Sequence, residues 1–524
     1  MTGRAPTVRA TLVFALGLGA VVAFASVVLP GSHVLLGMLA AGVGVVALFN
    51  PKIALFLIVP AMALSPDLPV HGVAVRAEDL MMVPLTVGWL AHLCVAKTRR
   101  RTPFDRLLVA YILVGIAATL WGMTLGTVHL ATVSKYESSP LHVLKRIEFV
   151  VLFFIVADTV ESLVDVRRIV YVLLGSMIAL SLYSAWQFHT NQAIALGPEG
   201  APIHEPGLAS MVTVGLALGL MRTASTPRAR FVLGLIVLFG VATLPLALGR
   251  NYIAATLIIL LYVGLREQRW LLFAMPALAA VALLLYPEGI AHRVLTLGSA
   301  FSPDLSSLNQ TSTAPTSIFY RAQAPLYYTV WALGASPLLG LGMGSVPLGF
   351  IDSEYVVQLF YTGLAGLAIF LVFGAKLLRV MRDMRRATTD PEAAGLVQGL
   401  QLVTIGYAVY SVFAASVSAT HTGGPFFIVA ALAGALSRQL LPQPLAATEA
   451  RMERLGSRAL VPVRTPVPLP VPAVANPWQR LAVLRQAPGP RRAPARSRRE
   501  LWVPLGGRRG SALPPPLSER HAQS

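Results

Sequence analysis

Five charged residues are predicted to cluster at the outer face, around the one long loop of a largely apolar chain, and their side chains can do chemistry. Arg250, Arg293 and Arg321 carry guanidinium groups, whose rigid fork of donors suits phosphate oxygens. Asp352 and Glu354 follow them, and a carboxylate beside an anion site can take a proton from a hydroxyl group. The five residues therefore predict an anion-binding site with a candidate general base.

Each of these residues also has a simpler interpretation. Arg250 and Arg293 stand at the ends of apolar runs, where an arginine can snorkel to the membrane surface. Arg321 lies among aromatic residues of the kind that form interfacial belts. Asp352 or Ser353 can cap the helix that follows, whose dipole favours a carboxylate at its start. The sequence alone leaves both interpretations open.

The composition indicates a membrane protein. The 524 residues are 55% hydrophobic and only 12% charged, whereas a soluble protein carries about twice that charge. The net charge of +19 is placed in connecting loops and a basic tail, where it faces anionic lipid rather than nucleic acid. Cys94 is the single cysteine, and no H-E-x-x-H spacing occurs, so we predict neither an intrachain disulfide nor a metal site.

Apolar runs recur along most of the chain and predict an all-α, polytopic bundle of about 12–14 transmembrane helices. The first run is read as an uncleaved helix. The predicted spans are 11–29, 34–49, 52–65, 80–96, 107–126, 147–160, 169–187, 207–221, 231–248, 251–265, 270–286, 354–375, 394–417 and 425–437.

Basic residues occupy every second connecting segment, which predicts that both termini are cytoplasmic. The basic segments are the N-terminus, 97–106, 167–168, 222–230, 266–269 and 376–386. Lys135, Lys145 and Arg146 are exceptions in an outer loop, close to Glu137 and Glu148, which offset their charge.

Two domains are predicted. Residues 1–440 form the membrane domain, with one long outer loop at 287–353 that contains an amphipathic stretch at 319–334 and a glycine-rich turn. Residues 441–524 form a tail rich in Pro, Ala and Arg, which cannot bury a core and is predicted to be disordered.

These motifs, taken in order, resemble those of the bacterial O-antigen ligase and polysaccharide polymerase superfamily. The resemblance is specific over residues 245–370. The residues that carry it are Gly249-Arg250, Arg321 ahead of Trp331-Ala332-Leu333, Pro337 to Gly342, Asp352-Ser353-Glu354-Tyr355 and Gly363 to Leu367. The segment 145–168 is similar to one in the exopolysaccharide members. Gly249 stands where the family has serine, and Asp352-Ser353 stands where typical ligases have His-Asn; these departures favour a polymerase-like member.

The resemblance implies a metal-independent glycosyltransferase of the bacterial inner membrane, without a cofactor, that polymerises polyprenyl-diphosphate-linked glycan. Arg250, Arg321 and Arg293 would bind the diphosphate, and Asp352, or Glu354 in its place, would act as the base. The implied partners are the lipid-linked oligosaccharide, membrane lipids, and a flippase and chain-length regulator of the same export system. A ligase, or a transporter or flippase with helices broken near the midplane, remains the alternative.

Overall fold

The computed structural model gives the arrangement of most of the predicted membrane domain. The residues that the structure describes are 42, 45–46, 50–65, 68–70, 73–96, 99–128, 139–191, 204–244, 250–269, 271–272, 318–345, 353–414, 416–418 and 420–441. The chain divides into two units, Met1–Glu449 and Ala450–Ser524. The second unit, the predicted span 11–29, most of the predicted spans 34–49 and 270–286 and most of the loop 287–353 lie outside the described residues.

The described part of the chain folds into twelve α-helices and one short hairpin. The elements are α1 Pro51–Leu64, β1 Leu68–Val70, β2 Val73–Val75, α2 Ala77–Ala96, α3 Asp105–Thr124, α4 Ser139–Thr159, α5 Leu163–Asn191, α6 His204–Thr223, α7 Pro227–Thr243, α8 Arg250–Arg266, α9 Ile318–Ala335, α10 Glu354–Ala387, α11 Pro391–Phe413 and α12 Thr420–Leu440.

Every predicted span within these ranges is a helix, and the stretch 319–334 is helix α9. Several helices are longer than their apolar runs. Helix α10 continues past residue 375 to Ala387 through a basic segment, because a helix propagates beyond the apolar residues that select its membrane span. The adjacent runs 231–248 and 251–265 are separate helices, α7 and α8.

Four of the described helices are long and apolar enough to cross a membrane. They are α3, α5 over Leu163–Gln187, α10 and α11. Large apolar side chains also face outward on the bundle: Val83, Phe231 and Leu265 are all more than 60% exposed. Such an apolar surface suits a lipid surrounding better than water.

The prediction of an all-helical fold is confirmed for the described residues, and one short hairpin that was not predicted accompanies the helices. Strands β1 and β2 pair antiparallel, with Leu68 opposite Val75 and Val70 opposite Val73. His71 and Gly72 stand between the strands, and three-residue strands are too short to show a periodicity of two against an apolar background.

Close helix packing in the core depends on small residues. A Cβ atom on Gly219 of α6 would lie 2.3 Å from the backbone nitrogen of Gly399 in α11, and one on Gly215 would meet Val403 at 2.8 Å. Small residues spaced by four allow two backbones to approach, as is common between membrane helices. Helices α6 and α11 therefore form a tightly packed pair.

The connecting segments that carry most basic residues meet at one end of the bundle, which we call the basic end. Arg100 pairs with Glu161 at 2.8 Å, and both Arg222 and Arg385 pair with Glu267. Further ion pairs at this end join Lys52 to Asp165 and Arg167 to Glu392. The predicted basic loops thus assemble together, while the side of the membrane on which they lie stays a prediction.

Helix α10 is interrupted at Gly363, which has φ 65° and ψ −166°. The backbone groups freed by the break bond to the turn 336–345 instead: the Leu341 N–H donates to the Phe360 carbonyl at 2.8 Å, and the Leu364 N–H donates to the Pro337 carbonyl at 2.8 Å. A Cβ atom on residue 363 would lie 2.3 Å from the Leu338 carbonyl, so glycine is required by both conformation and space.

The turn 336–345 is wedged between α10 and α3. The Trp121 indole donates to the Ser336 hydroxyl at 3.0 Å, and the Thr127 hydroxyl donates to the Leu341 carbonyl at 2.6 Å. Gly340, Gly342 and Gly344 all have positive φ. The prediction of a tight glycine turn is confirmed, and the turn also approaches another backbone closely.

Candidate functional site

A small cleft opens between helices α3, α4, α10 and α12. Its polar walls are formed by Tyr111, His142, Lys145, Arg146, Tyr361 and Ser418. Arg146 stands seven residues after the start of α4 and thirteen before its end, so it lies about 10 Å from one end and about 20 Å from the other. The nearer end is the one opposite the basic end, because Asp158 near the other end of α4 accepts from the Arg100 backbone.

Arg146 is the buried cation of this cleft. The residue is 8% exposed, and its Nη1 atom has no hydrogen-bond partner among the described residues. Within the same residues, no carboxylate forms an ion pair with it. The guanidinium instead lies over the ring of Tyr111, with Cζ 4.4 Å from the ring centroid. A buried charge without a counter-ion is unfavourable unless a ligand supplies one, so this cleft is suited to an anion.

Lys145, the preceding residue, is held by two carboxylates. Its Nζ atom pairs with Glu148 at 3.1 Å and also with Asp79 of α2. A second ion pair, Arg76 with Glu78 at 3.0 Å, is fully buried close by in sequence at the start of α2. The Lys145–Asp79 pair joins the start of α4 to α2, next to Arg146 in the cleft.

His142 lines the same cleft, one turn before Arg146. It precedes the apolar span 147–160, and its ring centroid lies 6.2 Å from that of Tyr361. Burial, together with the neighbouring Arg146 cation, lowers the pKa of His142 to about 4. The imidazole is therefore neutral near pH 7, and the positive charge of the cleft comes from Arg146 and Lys145.

A hydrogen-bond network connects the cleft with the start of α10. The Gln358 side-chain amide donates to the Tyr111 hydroxyl at 2.9 Å and to the Glu354 carboxylate at 2.6 Å. Glu354 in turn accepts from the backbone N–H groups of Val417 and Ser418, both at 3.0 Å, and from the Ser418 hydroxyl at 2.6 Å. The network ties α3 and α10 to the loop before α12.

Glu354, the weaker of the two base candidates, is fully buried in this network. Both of its carboxylate oxygens are occupied by donors, so its contacts are those of a residue that holds helix α10 against residues 417–418. A general base needs an oxygen within reach of the substrate hydroxyl. Among the described residues, Glu354 therefore has the geometry of a structural carboxylate.

The cap of helix α10 is Ser353, not Asp352. Ser353 has the extended φ and ψ of an N-cap residue, although its side chain makes no capping bond and its hydroxyl donates to the Ser411 carbonyl at 3.4 Å. Asp352 itself lies outside the described residues. It directly precedes the cap, which leaves its predicted role as a base open.

The predicted arginines are placed only in part. Helix α8 begins at Arg250. The side-chain amide of the next residue, Asn251, donates to the Phe413 carbonyl at 2.7 Å. The neighbouring Ala414 carbonyl accepts from the Glu354 backbone N–H at 3.0 Å. The backbone of Arg250 is thus brought close to the start of α10. Its side chain lies outside the described residues.

Arg321 and Arg293 are less fully placed. Arg321 is the fourth residue of α9, but its side chain lies outside the described residues. Helix α9 packs on α10 through Trp331 and Phe360, whose ring centroids are 5.3 Å apart. The whole of Arg293 lies outside them. Whether these two arginines join the cleft stays a prediction.

Arg146 was not predicted as a site residue. Lys145 and Arg146 were expected to be offset by Glu148 and Glu137, and in the structure Glu148 pairs with Lys145 only. Lys135 and Glu137 lie outside the described residues. One feature of the sequence could have identified Arg146: it is a basic residue at the start of an apolar span, on the predicted outer side of the membrane, where basic residues are otherwise scarce.

No three His, Cys, Asp or Glu side chains cluster as metal ligands within the described ranges.

A scan against protein-family models found no match for the chain, and a search of curated proteins found none either. The superfamily resemblance of residues 245–370 therefore stays a prediction, and the function is inferred from the cleft and its surroundings.

Proposed function

We propose that the chain is a polysaccharide polymerase that joins polyprenyl-diphosphate-linked repeat units at the periplasmic face of the bacterial inner membrane. The observation that carries this proposal is the buried Arg146, which has no carboxylate partner in the described part of the chain and lines a small cleft. A diphosphate supplies the missing negative charge, and a guanidinium matches its oxygens with paired donors.

The position of the cleft supports the periplasmic assignment. It lies in the half of α4 away from the basic end, and basic loops are retained on the cytoplasmic side. In this orientation both termini are cytoplasmic. The cleft then faces the membrane surface at which exported, lipid-linked glycan is presented.

In the proposed reaction, the acceptor sugar hydroxyl attacks the anomeric carbon of the donor. The new carbon–oxygen bond forms as the bond to the diphosphate oxygen breaks, and the diphosphate leaves with the electron pair. Arg146 stabilises the charge that develops on the leaving group, together with Arg250 and Arg321. Asp352 accepts the proton of the acceptor hydroxyl.

The test compares alanine variants in vitro, on purified lipid-linked repeat units. Arg146→Ala should lower extension by about a hundredfold or more, because one donor to a developing oxyanion is worth that much. Arg146→Lys should restore little of the extension activity, because a lysine ammonium lacks the paired donors of a guanidinium and its stacking on Tyr111. Arg250→Ala and Arg321→Ala should likewise abolish extension.

The matched control is Arg228→Ala, which removes an exposed arginine near the start of α7 at the basic end. It should extend glycan at the wild-type rate. Normal extension by Arg146→Ala at normal abundance would contradict the placement of the diphosphate.

A ligase differs from a polymerase in what accumulates without it. A deletion strain should contain single lipid-linked repeat units if the chain is a polymerase. Long, unligated chains on the lipid carrier would instead identify a ligase that transfers finished glycan to a lipid acceptor.

A transporter or flippase is the second candidate, and one observation favours it. Helix α10 is broken at Gly363, nine residues after its start and so about 14 Å along its axis, and transporters often carry such breaks near the midplane. Here the broken turn is filled by residues 336–345. Reconstituted protein that moves labelled lipid-linked glycan between leaflets without joining repeat units would establish this candidate.

A further inference from the structure

The space inside the cleft is small. It has room for about one or two groups of the size of a water molecule. Its walls combine Arg146 and Tyr111 with the apolar side chains of Phe149, Met343 and Phe427. A diphosphate can enter only if these walls move apart. The ligand that fits this arrangement of the walls is therefore smaller than the proposed substrate.

One positive charge in the cleft stays unbalanced. Lys145 is paired with Asp79 and Glu148, whereas Arg146 pairs with no carboxylate among the described residues. The Arg146 side chain is more than nine-tenths buried, so water screens its charge only weakly. One monovalent anion balances this charge. A divalent anion in the same place would leave an excess negative charge in largely apolar surroundings, which costs free energy.

Two hydrogen-bond donors of the cleft lack an acceptor within the described ranges. One is Arg146 Nη1. The other is the hydroxyl of Tyr111, which accepts from the Gln358 amide but donates its own hydrogen to no described residue. Both donors border the same small space, because the guanidinium stacks on the Tyr111 ring with Cζ 4.4 Å from the centroid. Buried donors need an acceptor, and a monatomic anion accepts from any direction.

We infer that Arg146 and Tyr111 bind one halide ion, chloride, in the substrate-free protein. A halide carries the single charge that the cleft lacks. It also loses its hydration water more readily than phosphate does, which suits walls that contain Phe149 and Phe427.

The inference rests on the proposed function in one respect only, which is that chloride and the diphosphate of the substrate compete for Arg146. Chloride should therefore raise the KM for the lipid-linked donor and leave kcat unchanged. Binding of the halide itself does not depend on what reaction the protein catalyses.

Halide binding is measured on the purified full-length protein, in detergent and a gluconate buffer, by the broadening of the chlorine NMR resonance when sodium chloride is added. Wild-type protein should broaden the resonance, and bromide should reverse the effect by displacing chloride. Arg146→Ala should lose the broadening. Tyr111→Phe keeps the ring but removes one donor, and it should weaken chloride binding by about tenfold or more.

Two further variants make this test specific. Arg146→Lys should keep chloride affinity within about threefold, because a monatomic ion needs a positive charge and not the paired donors of a guanidinium. The same variant should extend glycan poorly, so it separates halide binding from the proposed reaction. Arg228→Ala, which removes an exposed arginine at the basic end, is the control and should broaden the resonance as wild type does.

The inference is overturned if wild-type protein causes no broadening, or if Arg146→Ala broadens the resonance as much as wild type does. If Arg146→Ala still lowers glycan extension in either case, the proposed function stands without the halide. Loss of broadening in Arg146→Ala together with normal extension would support the halide site and reject the placement of the diphosphate.

The competition has its own measurement. Glycan extension by the wild-type protein is followed at increasing sodium chloride, with sodium gluconate replaced in equal amount, because salt also screens charges. A KM that rises with chloride at constant kcat supports competition for Arg146. A KM that stays constant overturns it.

Discussion

The guanidinium of Arg146, in α4, lies 4.4 Å from the ring centroid of Tyr111, in α3. The stacking holds the planar group in place without neutralising it. Tyr111 is in turn fixed by Gln358, and Gln358 by Glu354. This network positions Arg146. Among the described residues, none of its members is an anion in direct contact with the guanidinium.

Glu354→Gln should destabilise the protein rather than abolish a chemical step. The substitution replaces an acceptor oxygen with an amide that faces N–H and O–H donors, which costs about 1–3 kcal/mol for buried groups. The thermal unfolding midpoint in detergent should fall. Glu392→Gln is the control, because Glu392 is half exposed in its pair with Arg167 and should change the midpoint little. An unchanged midpoint for Glu354→Gln would argue against a structural role.

Asp352→Asn tests the base. Because Ser353 is the cap of α10, the change removes a proton acceptor without removing a cap, and turnover should fall by roughly a hundredfold or more. Asp390→Asn is the matched control: Asp390 caps α11 by accepting from the Glu392 N–H at 3.0 Å, and asparagine caps about as well. Turnover by Asp352→Asn close to the wild-type rate would leave positioning of the substrate as the source of catalysis.

Gly363→Ala should prevent α10 from docking on the turn. Alanine at φ 65° and ψ −166°, a region that essentially only glycine adopts, costs about 1–3 kcal/mol from the backbone alone, and its Cβ would also meet the Leu338 carbonyl at 2.3 Å. The yield of monodisperse protein by size-exclusion chromatography should fall sharply. Gly374→Ala lies in the same helix with nothing within 4 Å of its Cβ, and should keep or slightly raise the yield. Equal yields for both variants would show that the break tolerates a side chain.

Stability should fall as the pH is lowered through the titration of His142. The pKa of this group is about 4 in the folded protein, against an ordinary value of 6.5, so the unfolded chain binds the proton first. The contribution is fully present above about pH 6.5 and is lost as the pH falls toward 4. His142→Gln should reduce the fall in the unfolding midpoint between pH 7 and pH 4.5 by on the order of 2 °C.

The control for this pH effect is His189→Gln, because His189 is exposed near the end of α5. It should leave the pH dependence as in wild-type protein. A fall in midpoint that is the same in His142→Gln as in wild type would place the titrating group elsewhere.

The helices were predictable because each needs a long apolar run, and such runs are visible in any sequence. The ends of the helices were harder to predict. Helix α4 begins at Ser139, eight residues before the predicted span, because the charged segment with Lys145 and Arg146 is also helical. The hairpin at 68–75 was too short to stand out.

The cleft could be predicted only in part, because its walls come from distant segments. The sequence does not show that Tyr111 meets Arg146, or that Met343 of the glycine turn reaches the same space. Lys145 and Arg146 have similar sequence surroundings, yet tertiary packing gives one two carboxylates and the other an aromatic ring. Only that difference distinguishes Lys145, a structural cation, from Arg146, the proposed ligand-binding one.

The break at Gly363 also bears on how the polypeptide is inserted during synthesis. A peptide group without a partner in hydrocarbon costs several kcal/mol, so residues 354–363 cannot leave the translocon as an independent helix. Their partners at 337–341 are synthesised earlier and must already be seated against α3. We therefore expect helix α10 to enter the bilayer together with the turn 336–345, and not as an independent helix.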